Sequence, residues 1–195
     1  MSPVDLILLS VNTMLVTNIV FARFLGICPY LGVSKKVETA SGMGMAVIFV
    51  MTLAAAFSWA IQKLLLKPLG LEYLQTIIFI LVIAALVQFV EFFMKKSMPT
   101  LYRALGIYLP LITTNCTILW VALYVVQEKF SFLTMLIFSL ATGAGYLLAI
   151  VLFASLRERL ETADIPDAFK GLPIALVTAA LIGMAFMGFS GLVKV

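Results

Sequence analysis

Two cysteines carry the most distinctive chemistry in this sequence. Cys28 lies in Gly26-Ile27-Cys28-Pro29-Tyr30-Leu31-Gly32, and Cys116 closes Leu109-Pro110-Leu111-Ile112-Thr113-Thr114-Asn115-Cys116. Three roles are open to such thiols. They can be small apolar fillers, since free cysteine is among the most buried residue types. They can form a disulfide, which a position in or near the cytoplasmic half of a membrane disfavours. They can ligate a metal as thiolates, and an iron–sulfur cluster takes four cysteines. The chain has two cysteines and no histidine, so a cluster needs two more ligands from another subunit. The lack of histidine also removes the usual general base and proton shuttle. No catalytic residue is expected in this chain.

The neighbours of each cysteine are unusual for an apolar run. Pro29 has no amide hydrogen and is expected to push Cys28 away from helical geometry, with Gly26 and Gly32 on either side. This stretch can fold back into the membrane or form a simple loop at its surface. Pro110 is expected to break a helix six residues before Cys116. Thr113, Thr114 and Asn115 then bring polar groups into an apolar layer, where they must find partners. Deep within the apolar runs there is no Asp, Glu, Lys or Arg, which argues against a carboxylate proton relay. An ion path would have to use Asn18, Gln88, Thr114, Asn115 and backbone carbonyls. Arg157-Glu158-Arg159-Leu160-Glu161 reads as a solvated helix end with local ion pairing.

The elements that must position these residues are membrane spans. Hydrophobic residues make up 64% and charged residues 11% of the 195, whereas soluble domains are nearer 45–50% and roughly 25%. A globule of this size cannot hide that much apolar surface, so lipid must cover part of it. A bilayer core of about 30 Å takes about 20 apolar residues in helix, and the runs fall at about 4–25, 40–62, 72–94, 101–126, 131–156 and 173–193. Backbone groups in lipid must be satisfied within the segment, so these runs are helices. The first lacks a basic start and a small-residue cleavage site, and reads as a retained span. The expected fold is an all-α integral membrane protein with six transmembrane helices, forming one membrane domain over 1–195.

Charge sets the orientation. Of thirteen Lys and Arg residues, nine gather on one side: Arg23, Lys35, Lys36, Lys95, Lys96, Arg103, Arg157, Arg159 and Lys170. Lys63, Lys67, Lys129 and Lys194 lie on the other. The positive-inside rule places the basic loops in the cytoplasm and both termini outside.

A weak internal repeat joins the halves, about 1–97 and 98–195. Thr17-Asn18 recurs as Thr114-Asn115, Ala40-Ser41-Gly42-Met43-Gly44 as Ala141-Thr142-Gly143-Ala144-Gly145, and Val82-Ile83-Ala84-Ala85-Leu86 as Val177-Thr178-Ala179-Ala180-Leu181. Three spans per half make the copies inverted, with half-helices expected near the two cysteine motifs. This alignment pairs Ile19, not Cys28, with Cys116. The glycines read as sites of close helix packing. None sits in a phosphate-cradling context, and no nucleic-acid partner is expected.

The run Leu25-Gly26-Ile27-Cys28-Pro29-Tyr30-Leu31-Gly32-Val33-Ser34-Lys35-Lys36 resembles the first signature of the A-subunit family of Rnf electron-transport complexes. Leu105-Gly106-Ile107-Tyr108 through Cys116 is similar to its second signature, and Ala185-Phe186-Met187-Gly188-Phe189-Ser190-Gly191-Leu192 to its ending. The E subunit of the sodium-pumping NADH:quinone reductase is similar throughout, and Cys28-Pro29 favours the Rnf side. The resemblance implies a bacterial cytoplasmic (inner) membrane protein in an ion-translocating ferredoxin:NAD oxidoreductase complex. It implies pairing with the paralogous Rnf E subunit in opposite topology, beside the B, C, D and G subunits. It further implies one intramembrane [2Fe–2S] cluster between the paralogues, with Cys28 and Cys116 as this chain's two ligands. Two readings of other classes stand beside it: a small secondary transporter binding a solute at its midplane polar residues, and a structural membrane subunit without a cofactor.

Overall fold

The computed structural model describes residues 3–70, 72–97, 109–164, 166 and 169–189. Arg103, Asp167, Lys194, the Leu105-Gly106-Ile107-Tyr108 portion of the second signature and the Ser190-Gly191-Leu192 ending lie outside the described residues. The regular structure among those described is helical, with no strand.

The first apolar run does not form one helix. α1 (Pro3–Val11) runs on through a wide π turn, Asn12–Val16, and stops at Thr17. α2 (Ile19–Arg23) follows, then a reversal in which Phe24 and Gly26 both take left-handed backbone at φ 55° and 77°. α3 (Ile27–Gly32) comes next. α4 (Val37–Ile61) continues through a second π turn, Gln62–Leu66, and a last turn, Lys67–Leu69, that ends at left-handed Gly70. A 3-10 turn, Glu72–Leu74, leads into α5 (Gln75–Ser97). Then come α6 (Leu109–Thr113), α7 (Cys116–Gln127), α8 (Phe132–Glu161) and α9 (Leu172–Met187).

Four segments are long and apolar enough to cross a bilayer: Val37–Leu66, Gln75–Phe93, Pro110–Gln127 and Phe132–Glu161. Leu6–Val16 and Leu172–Met187 are apolar but shorter. The expected spans 4–25 and 173–193 thus have shorter helical counterparts. At about 1.5 Å per residue, the thirty residues of α8 reach about 45 Å. That exceeds a hydrocarbon core of about 30 Å, so its charged end at Arg157–Glu161 extends beyond it.

Contacts divide the chain into two compact units, one of residues up to Met45 with those from Ala141 on, the other Ala46–Leu140. In the first, Ile19, Val20 and Phe21 of α2 and Tyr30 of α3 are buried, as are Tyr146, Ile150 and Phe153 of α8. α9 packs on α2, yet only Ala175 of α9 is buried. Leu172, Leu176, Leu181, Met184 and Met187 face outward.

In the second unit α5 packs on α6 and α7. Phe79, Ile83 and Val87 supply its buried stripe, one residue every fourth position. Its other faces expose Ile77, Ile80, Leu81, Phe89, Phe92 and Phe93. A helix apolar on both its buried and its exposed faces suits lipid and not water. Trp120, Tyr124, Phe130 and Phe138 form an aromatic cluster beside α7, with centroids 4.7–6.3 Å apart.

Candidate functional site

Both helix interruptions centre on an asparagine that caps the next helix. Asn18 has extended-type ψ, and its Oδ1 accepts the Val20 amide at 3.1 Å. Asn115 does the same for α7, accepting the Thr117 amide at 3.0 Å. Side-chain oxygens of this kind satisfy amides that the first helical turn leaves without partners. The two are almost fully buried, at 1% and 3% exposure, where an uncapped amide would be most costly.

Asn18 does more than cap. Its Nδ2 donates to Met14 O at 3.0 Å and to Gly145 O at 2.8 Å. The side chain thereby ties the end of α1, the start of α2 and the middle of α8 together. Gly145 permits this approach, since a Cβ there would lie 3.0 Å from Met14 O and 3.3 Å from Asn18 Nδ2. At Gly44, on α4 in the same unit, a Cβ would collide with Leu147 Cδ1. Close packing expected at Gly44 and Gly145 is present. Asn115 Nδ2 is buried and finds no partner among the described residues.

One sequence expectation about proline is corrected. Cys28 is helical, as the second residue of α3, and Pro29 is the third. Amides of a first helical turn have no intrahelical acceptor, so proline's missing N–H is no loss there. Pro110 lies in α6, and the next interruption among the described residues falls at Thr114–Asn115.

Cys28 and Cys116 fall in different units, and each is exposed and outside any disulfide. α3, which carries Cys28, is held by contacts that reach far along the chain. Gly26, buried and left-handed, starts it, and buried Pro29 accepts the Val33 amide at 3.0 Å. Tyr30 stacks on Phe153 with centroids 4.3 Å apart and meets Phe21 edge-on at 6.0 Å. Arg157 Nη1 donates to Leu31 O at 2.8 Å and Ser34 Oγ at 2.9 Å, its guanidinium lying 5.6 Å from the Phe153 ring. Glu158 Oε1 accepts the Val37 amide at 3.2 Å and so caps α4.

Arg157 and Glu158 therefore do more than form the solvated helix end that the sequence suggests. They clamp the corner that follows Cys28. Alternating charges over five residues look like local pairing, and no local signal marks partners more than 120 positions away.

Cys116 is the first residue of α7, directly after its cap. Thr114 Oγ1 and the Thr114 amide both donate to Pro110 O, at 3.1 and 3.2 Å, closing α6. Thr113 is half-buried on α6. Gln88 lies on an exposed face of α5, apart from both asparagines' hydrogen bonds. Among the described residues no group of three or more His, Cys, Asp or Glu gathers in a way that could hold a metal.

A family profile described as "Rnf-Nqr subunit, membrane protein" matches residues 6–193. The chain is 57% identical over 189 residues to the A subunit of the ion-translocating oxidoreductase complex of Syntrophotalea carbinolica, covering 97% of this chain and 98% of that one. It is also 57% identical over 187 residues to the A subunit of the Na(+)-translocating ferredoxin:NAD(+) oxidoreductase complex of Acetobacterium woodii, covering 96% and 97%. A third relative, the A subunit of the ion-translocating oxidoreductase complex of Edwardsiella ictaluri, is 55% identical over 190 residues, covering 97% and 98%. With the profile and these relatives all spanning nearly its full length, the chain belongs to the Rnf-Nqr subunit family of membrane proteins.

Proposed function

We propose that this chain is the A subunit of an ion-translocating ferredoxin:NAD oxidoreductase complex of the bacterial cytoplasmic membrane, with no substrate site of its own. The observation that carries this is identity of 57% over nearly the whole of two A subunits, one named for an ion-translocating oxidoreductase complex and the other for a Na(+)-translocating ferredoxin:NAD(+) oxidoreductase complex. The chain works as one membrane domain of six crossings with both termini outside, its halves forming inverted repeats of about 1–97 and 98–195. The matched capping by Asn18 and Asn115, found at the repeat's own offset, supports that reading.

Within the complex, Cys28 and Cys116 are this chain's ligands to a [2Fe–2S] cluster shared with the paralogous E subunit in opposite topology. The donor set fits in kind, because thiolates are the ordinary ligands of such clusters, and supplies two of the four required. Both cysteines are exposed, which supports ligation shared with a second chain. When bound, the cluster supplies one-electron relay within the membrane. The chain's own part is to hold its ligands: Arg157, Tyr30 and Gly26 fix α3, and Asn115, Thr114 and Pro110 fix the start of α7. Asn18, Thr113 and Asn115 are the polar groups offered to a translocated ion.

The test is co-expression with the partner subunit, followed by iron analysis and electron paramagnetic resonance. Cys28→Ser and Cys116→Ser are each expected to remove the iron and its signal. Both positions are exposed, so each change should shift stability by only about 0.5 kcal/mol or less. An unchanged iron-to-protein ratio in the double serine variant removes the cluster from the proposal, and leaves membership of the complex standing on identity alone.

A further inference from the structure

A cavity of about 660 Å³ in the second unit belongs to none of the features above. Its size lies within the range of ligand sites, roughly 300–1,000 Å³. Trp59, Gln62, Lys63 and Lys67 enter it from the end of α4, Gln75 from the start of α5, and Lys129 from the corner between α7 and α8. All four long apolar segments therefore end or begin at this cavity, which places it at a membrane–water boundary. Its described lining residues carry three positive charges and no carboxylate.

Three details show a built site. Trp59 Nε1 donates to Phe130 O at 3.0 Å, and Lys63 Nζ lies 4.8 Å from the Trp59 ring centroid, a cation–π contact that steers the ammonium. Gln62 is only 8% exposed, and its Oε1 is buried with no partner among the described residues, as is Gln75 Nε2. Lys129 is held at φ 52°. The Phe130 amide donates to Val125 O and the Lys129 amide to Val126 O, both at 3.2 Å. That is the pattern of a helix end whose left-handed position is usually glycine. A lysine kept there at a strained φ points to a use for its charge.

We infer that this cavity binds the phosphate-bearing, hydroxylated headgroup of an anionic phospholipid of the phosphatidylglycerol type. Lys63, Lys67 and Lys129 surround the phosphate oxygens. Gln62 Oε1 accepts from a headgroup hydroxyl, and Gln75 Nε2 donates to a neighbouring oxygen. A lipid fits better than a free anion because Leu64, Leu65 and Leu133, adjacent in the chain and 55–75% exposed, offer acyl chains an apolar flank.

The test is native mass spectrometry of the full chain in detergent with dioleoyl phosphatidylglycerol, dioleoyl phosphatidylcholine or millimolar inorganic phosphate. Wild type should retain the phosphatidylglycerol in preference to the phosphatidylcholine. The Lys63→Gln/Lys67→Gln/Lys129→Gln variant should lose that retention by about tenfold or more, on the scale of lysines at a lipid surface. Lys95→Gln/Lys96→Gln, at the other end of α5, should retain it. Lys129→Gly separates binding from folding: it should melt no lower than wild type yet bind the lipid about fivefold more weakly. Equal retention by wild type and the triple variant, or equal retention of the two lipids, overturns the inference. Displacement of the lipid by inorganic phosphate alone overturns its lipid part.

Discussion

Asn18 Nδ2 stands 2.8 Å from the carbonyl oxygen of Gly145, 127 positions away, and the same nitrogen also reaches Met14 O. Asn115, which makes the same kind of cap for α7, leaves its own amide nitrogen without a described partner. The two asparagines therefore differ in how much structure depends on them.

Asn18→Leu removes a cap and leaves two carbonyls without their donor in a buried setting, an expected loss of about 2–4 kcal/mol. Asn115→Leu removes one cap and an unpartnered buried donor, and should cost about 1 kcal/mol. Thermal unfolding of both variants in the same detergent checks the order. Equal melting temperatures would show that the Gly145 bond contributes little.

Arg157→Gln frees Leu31 O and Ser34 Oγ and removes the guanidinium from the Phe153 ring, with an expected loss of about 1–3 kcal/mol. Hydrogen exchange of residues 31–37 should quicken, while that of α7 stays as in wild type. Arg157→Lys should recover little, since an ammonium lacks the planar group that lies against the ring. Unchanged exchange at 31–37 would count against the clamp.

Gly44→Ala forces a methyl into Leu147, with Leu147 Cα only 3.3 Å from the new carbon. The expected destabilisation is about 1–3 kcal/mol. Leu147→Ala in the same chain should relieve much of it, so a double-mutant cycle should give a coupling well above the roughly 0.5 kcal/mol of independent sites. Additive effects would show that α4 and α8 do not limit each other's approach there.

Much of this was legible in the residues. Apolar runs located the helices, and the recurring Thr-Asn pair marked two positions with one local task. Pro29 misled, because it reads as a break while it occupies a first turn where its missing N–H is harmless. The breaks themselves are written in Asn18 and Asn115, whose capping is a known local signal that an otherwise apolar window obscures. The roles of Arg157 and Glu158 were not legible, because their partners are set by how α3 and α8 pack and no spacing within Arg157–Glu161 encodes them.

The wide turn Asn12–Val16, closed by the Thr17 amide on Asn12 O at 2.8 Å, holds one residue more than an ordinary helical turn of that pitch. The surplus residue phases the chain so that Asn18, and not its neighbour, arrives at the Gly145 carbonyl. Deleting any one of those five residues would let the segment relax into a regular helix and turn a different side chain toward α8. Length here carries information that composition does not, so substitutions in this turn should be far better tolerated than a single deletion.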